Sequence, residues 1–509
     1  MRTWLTALAF LFLVLGANAT PAESPSERCA PGATRERQEL RFAHRCVSTT
    51  NAHAQEAFDE GLTLLYAFNP EEARRAFERA THADPNLAPA WWGVALTYVP
   101  NINQSYDAAA ARRGRDAIAK ARALGVQATP VERALIDAAA RRFAFVGPHD
   151  ADRTARAYRD AMATVADAYT SDDDVAVLAA EAEMDVHPWA YFNTDGTPTP
   201  GTLGLIARLR TVLARTPDHL GANHFAIHAF EESAHPEDGR AAADRLAGGH
   251  FAPAAEHLTH MPAHAYMRVG AYHEAGEANA RAVRAYLQYL AGDPAGHADY
   301  FGHDCVFGVD AFMMSGEAAR ARALAEACKK DGARLATVVD LRFHDWSALA
   351  RDDAASDFAG GMLLAHEGRL ALATEHLRTL RASGDSLSAL EAGVLEARIA
   401  RAGGESSTEI AALERAVKIQ DGFGYAEPPT FWYPVRESLG GAFARAGRYA
   451  EAERVFRTEL DRDRDNPRAL FGLAQTLTRA GKTDDAREPH ARFERAWRQA
   501  DAELDLNTL

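Results

Sequence analysis

Eight of the chain's twenty histidines fall between His219 and His264, where even spreading over 509 residues would place about two. The dense parts read NHFAIHAFEESAH (Asn223 to His235) and HLTHMPAH (His257 to His264), with histidines at spacings of three and four. Such spacing puts side chains on one face of a helix. At about 100° per residue, His224, His228 and Glu231 span an arc of roughly 60°, and His257, His260, His264 and Met267 roughly 80°. Imidazoles at i and i+4 on one helix, opposed by a similar pair on a neighbour about 8–10 Å away, can converge on a transition-metal ion. A single helical histidine is ordinarily a surface or satisfied core residue. Six on adjacent stripes, with Glu231 among them, reverse that expectation. The competing reading keeps the same histidines without metal, hydrogen-bonding a peptide or acting as a pH switch.

The elements that must position these residues are helical. From about Ala52 onward, amphipathic segments of ten to fifteen residues alternate with short loops. In EAFDEGLTLLYAFNPEEARRAFERATHADP, the residues Gly61, Ala73, Phe77, Ala80 and Pro85 sit where two packed antiparallel helices need small side chains, a filling aromatic and a stop. ESLGGAFARAGRYAEAERVF repeats the scheme with Gly440, Gly447, Ala452 and Phe456, and Ala452 to Ala486 is a step of 34 residues. These offsets and this period resemble the tetratricopeptide repeat family over nearly the whole chain after the leader. The resemblance implies an all-α, right-handed superhelical solenoid of helix hairpins, with the first helix of each hairpin lining a concave groove.

Set on that repeat, with Gly270 and Gly316 as hairpin turns, His257, His260, His264 and Met267 fall at groove positions, as do His303, Asp310 and Met313 of the next hairpin. His224, His228 and Glu231 do the same one hairpin earlier. Pro262 interrupts the middle stripe. Because proline suits only the first helical turn, that helix should start near Thr259 or His260 and leave His257 in the turn before it. The metal ligands expected are therefore His224, His228, Glu231, His257, His260, His264 and His303, with Glu231 as ligand or catalytic base. The same two segments, with FDEGLTLLYAFN and EPPTFWYPVRESLG, also resemble a group of bacterial exported histidine-rich repeat proteins, the matching residues being His224, His228, Glu231, His235, His257, His260 and His264.

Imidazole-rich ligation suits copper, zinc, iron and nickel. Nearby Met267 and Met313 tilt the expectation toward copper, and an exported site would keep Fe(II) reduced with difficulty. Copper or zinc therefore comes ahead of iron, and six histidines leave room for two ions. H-E-x-x-H, G-x-S-x-G and the Walker A motif are all missing from the sequence. The function expected is a groove-centred metal site, catalytic or metal-handling. The alternative is a scaffold that binds an extended peptide or partner protein in the groove. Two irregular stretches, 187–202 and 424–438, could reach over the site, and Tyr425, Trp432 and Arg436 of the second are the substrate-binding candidates.

A net charge of −15 without a basic run argues against nucleic acid. Arg2, the apolar run from Trp4 to Leu15 and Ala17-Asn18-Ala19 read as a signal peptide over 1–19, so a periplasmic or secreted location is expected. Export allows cysteines to pair. A Cys29–Cys46 disulfide would tie down the segment 20–51, and Cys305 with Cys328 would join neighbouring helices. Residues 52–500 form the expected solenoid and 501–509 a tail.

Overall fold

The computed structural model describes residues 40–145, 147, 149–193, 196–297, 299–328, 332–351 and 356–509. The expected signal peptide, and Cys29 with its proposed bond to Cys46, lie outside these residues. The described chain is helical from Ala52 to Ala496, and one isolated bridge, Phe192 to Pro198, is its only β pairing. None of the described helices is long and apolar enough to cross a membrane.

The first hairpin shows why this sequence makes paired helices. The Asn51 side chain accepts from the backbone N–H groups of His53 and Ala54 to open helix Ala52–Tyr66, and Asn69 with Pro70 opens helix Pro70–Ala83. Phe77 then wedges between helices. A Cβ on Gly61 would lie 2.7 Å from the Phe77 ring, and one on Gly93 of the next helix 2.5 Å from it, so only glycine lets the three helices close on that ring. Phe456 does the same between Gly440 and Gly472 near the other end. At Gly316 a φ of +81° gives the left-handed turn that ends helix Phe301–Ser315 and starts the returning helix. Cys305 and Cys328 are joined by a disulfide that ties this pair of helices together.

Hairpins distant in sequence also touch. The Asn69 side-chain amide donates to the carbonyls of Ala254 and His297, at 3.0 and 2.8 Å. Tyr272 donates its hydroxyl to Asp463, and Asp501 accepts from the backbone of Ala318 at 2.7 Å. At the first histidine stripe the inner wall is therefore interior, not an open groove. Helix Leu220–Glu231, which carries the first histidine stripe, is accordingly buried at every position.

Candidate metal centre

Four helices bring the histidines together. His224, His228 and Glu231 lie on Leu220–Glu231, His257 and His260 on Glu256–His260, His264 on Pro262–Arg268, and His303 on Phe301–Ser315. Pro262 does break the middle stripe, since it opens the third of these helices. His257 nevertheless sits in a short helix of its own, not in a turn, and its ring is 2% exposed beside the others. Two triads result. His224, His228 and His257 each offer a ring nitrogen within 4.8 Å of the others, and so do His260, His264 and His303.

The hydrogen bonds select which nitrogen faces inward. His224 donates from Nδ1 to the Tyr66 carbonyl at 2.6 Å, and His228 from Nδ1 to Glu231 Oε1 at 2.6 Å. His264 donates from Nδ1 to Glu231 Oε2 at 2.7 Å, and His260 from Nδ1 to Asn279 Oδ1 at 2.5 Å. Four rings are thereby held in the tautomer with a bare Nε2, the arrangement in which outer carboxylates and carbonyls orient metal-binding histidines. Several of the inward nitrogens lack protein partners. His224 Nε2, His228 Nε2 and both nitrogens of His257 are buried without a hydrogen-bond partner. His260 Nε2 lies 2.9 Å from His264 Nε2 and 3.1 Å from His303 Nε2. Lone pairs facing each other at such distances repel unless a proton, as on His303 Nε2, or a metal cation stands between them; with the unpartnered nitrogens of His224, His228 and His257, the donor set fits a metal.

Burial shapes the charge. It pushes His224, His257 and His260 well below the ordinary imidazole range, lowers His228 against the pull of Glu231, and brings His303 to about 3. Burial also opposes ionisation of Glu231. The facing His264 and His228, by charge and hydrogen bond, outweigh it and hold the carboxyl well below its usual range. On His264 burial is likewise outweighed, by the Glu231 carboxylate, and the net displacement is upward.

Above the rings lies a chamber of about 540 Å³. His228, His257, His264 and His303 form its floor, and Trp189, Tyr300 and Tyr425 supply aromatic walls. Tyr300 stacks on His257 at 4.0 Å between ring centres, and Trp189 meets His228 edge-on at 5.3 Å. Both irregular stretches thus reach the site, Trp189 coming from 187–202 and Tyr425 from 424–438. Tyr425 donates its hydroxyl to Glu231 Oε2 at 3.1 Å. Glu427, also lining the chamber, is pushed up by burial to about 7.

Other expected residues lie elsewhere. Trp432 and Arg436 line a neighbouring cavity of about 320 Å³ on the far side of the 425–427 segment, together with Met267 and Asp310. Met313 is packed in an apolar cluster with Cys305, Val309 and Cys328, so it offers no thioether to the rings. His235 and His366 are exposed. Asn279, Trp189, Tyr300 and Glu427 were not singled out from the sequence. The sequence signals two of them only through the irregular stretches that hold them, Trp189 in 187–202 and Glu427 in 424–438. Asp304, also not singled out, stands fully buried 3.3 Å from His260 Nδ1.

The tetratricopeptide repeat family matches residues 443–488. No curated protein sequence matches the chain. Among solved structures, the human IFIT1 dimer with m7Gppp-AAAA is 13% identical, with 90% of this chain and 91% of that one covered and a TM-score of 0.34. The APC/C hetero-tetramer Cut9-Hcn1 is 14% identical over 87% of this chain and 76% of that one, with a TM-score of 0.31. The P58(IPK) TPR domain is 13% identical over 88% and 98%, with a TM-score of 0.23. The described chain is an all-α solenoid of helix hairpins, and residues 443–488 match the tetratricopeptide repeat family.

Proposed function

We propose that the chain is an exported repeat protein whose interior holds a transition-metal centre, copper or zinc, acting on a small molecule in the chamber above it. The observation that carries this is the set of buried imidazoles whose Nδ1 atoms are committed to outer acceptors, with the Nε2 atoms of His224 and His228 left unpartnered and those of His260 and His264 turned toward each other and His303. Unpartnered buried polar groups each cost about 1–3 kcal/mol, and a bound cation removes that cost at several rings together. A repeat solenoid is held by stacking, so such a site is more useful for chemistry than as a staple. The disulfide between Cys305 and Cys328 supports an oxidising compartment.

In this reading His224, His228, His257, His260, His264 and His303 are the ligands. A bound ion would supply Lewis acidity and an open coordination position. The remaining groups position and exchange protons. Glu231 has both oxygens occupied, by His228 and by His264 with Tyr425, so it orients ligands instead of serving as a free base. Glu427 lines the chamber with its Oε2 unpartnered, which makes it the carboxyl placed to hold or move a proton. Tyr300, Trp189 and Tyr425 would flank a small aromatic or planar substrate. An extended peptide, the usual ligand of an open groove, would meet a wall that is filled at helix Leu220–Glu231.

The test is elemental analysis of untagged protein before and after reloading. Less than about a tenth of an equivalent of any transition metal would sink the reading. Replacing His228 and His264 together with Ala should abolish binding, whereas His366→Ala leaves it intact. Retention by the double variant would mean that other residues bind.

A further inference from the structure

The six imidazoles exceed what one ion takes from a protein, and their arrangement divides them. Tetrahedral catalytic sites use about three protein ligands and keep the fourth position open. Among the described residues four groups of three have ligand atoms mutually within 4.8 Å; two are all-histidine and together use each of the six rings once, while His228, Glu231 and His264, and His257, His260 and Asp304, cross between them. The sets adjoin. His228 and His264 have ring centres 5.2 Å apart and His257 and His260 5.4 Å apart, about as close as neighbours within a set, such as His224 and His228 at 5.0 Å. Glu231 spans the division, with Oε1 on a ring of the first set and Oε2 on a ring of the second. Two rings of each set, His228 and His257, His264 and His303, floor the same chamber.

Resting on the metal-centre reading above, we propose that the centre is dinuclear: one ion on His224, His228 and His257, a second on His260, His264 and His303, sharing one small bridging ligand on the chamber side. The ligand class is a diatomic molecule or small anion, because each ion has one open position and both face one space. Two-metal sites hold their ions about 3.5–4 Å apart, a span that one such ligand bridges. A single ion held by His228, Glu231 and His264 would instead draw on the Nδ1 atoms, breaking the hydrogen bonds that set the tautomers, and would leave His224, His257, His260 and His303 without a role.

The experiment uses the untagged protein loaded with copper(II), with bound metal, spin count by electron paramagnetic resonance and azide titration as readouts. About two equivalents should bind. The spin count should fall well below the copper content because bridged neighbours couple, and azide should bind once per pair. His224→Ala and His303→Ala should each keep about one equivalent, now with the full signal of an isolated ion. His224→Gln and His303→Gln, which leave smaller voids, repeat the test, with helical circular dichroism confirming the fold. One equivalent in the parent protein, two ions with full uncoupled signal, or a folded single variant that loses all metal each overturns the dinuclear assignment while the metal centre stands. No bound metal at all overturns the metal-centre reading itself.

Discussion

Glu231 reaches both histidine sets, since its two oxygens accept from His228 and His264 at 2.6 and 2.7 Å. Its place on the stripe was readable from its spacing three residues after His228. Its role was not, because the second partner comes from another helix. Glu231→Gln would present one amide N–H₂ to a ring that itself needs to donate, turning that ring or its tautomer. Outer acceptors of this kind are worth about 10–100-fold in metal affinity, so competition against a chelator should show a loss of that size without a change in the number of ions bound. Unchanged affinity would mean that Glu231 does not orient the ligands. Tyr300, Trp189 and Glu427 carry no spacing signal relative to the histidines, and only the folded chain puts them beside the rings.

At the level of elements, the hairpin is written in small residues opposite large ones. A Cβ on Gly440 would stand 2.6 Å from the Phe456 ring, which is also closed in by Gly472. Gly440→Ala should therefore destabilise the protein by about 1–3 kcal/mol through overpacking. Gly204, inside helix Thr202–Arg215, meets nothing within 4 Å of an added Cβ. There alanine should stabilise by about 0.5–1 kcal/mol, because it restricts the unfolded chain and suits a helix better. Urea denaturation of the two variants checks both signs, and equal effects would show that close packing on Phe456 is unimportant. The glycine–phenylalanine device was legible in the sequence because it recurs at fixed offsets. The split of the second histidine stripe at Pro262 was legible too, but the helix on its N-terminal side, Glu256–His260, was not, since five residues carry too little periodicity to be read.

For the molecule as a whole, the packing of distant hairpins also buries carboxyl groups. Glu459, 3% exposed, is raised to about 8 by burial and then by the nearby Asp463 and Glu437 charges. An ordinary glutamate titrates near about 4.3. The folded state thus keeps the proton more tightly, and the stability present below about pH 4 is lost as pH rises through about 8. Glu459→Gln cannot ionise. The gap between its unfolding free energies at pH 5 and pH 9 should be smaller than the parent's by on the order of 3 kcal/mol. An unaltered gap would show that Glu459 titrates normally in the folded protein.

The sequence by itself determined the helices, the hairpin offsets and the two histidine stripes, because each depends on residues within one or two turns of one another. Periodicity is a local property of the chain, and it survives without tertiary contacts. Only the tertiary structure decided that the stripes divide into two sets of three, that Tyr66 and Asn279 orient His224 and His260, and that a chamber roofed by distant loops stands over them. The physical reason is cumulative. Each hairpin turns a little relative to the last, and the sum of those turns, not any one segment's pattern, decides whether the inner wall is an open groove or a closed interior. The histidine stretch therefore announced a site, while the packing of distant hairpins made it buried and divided.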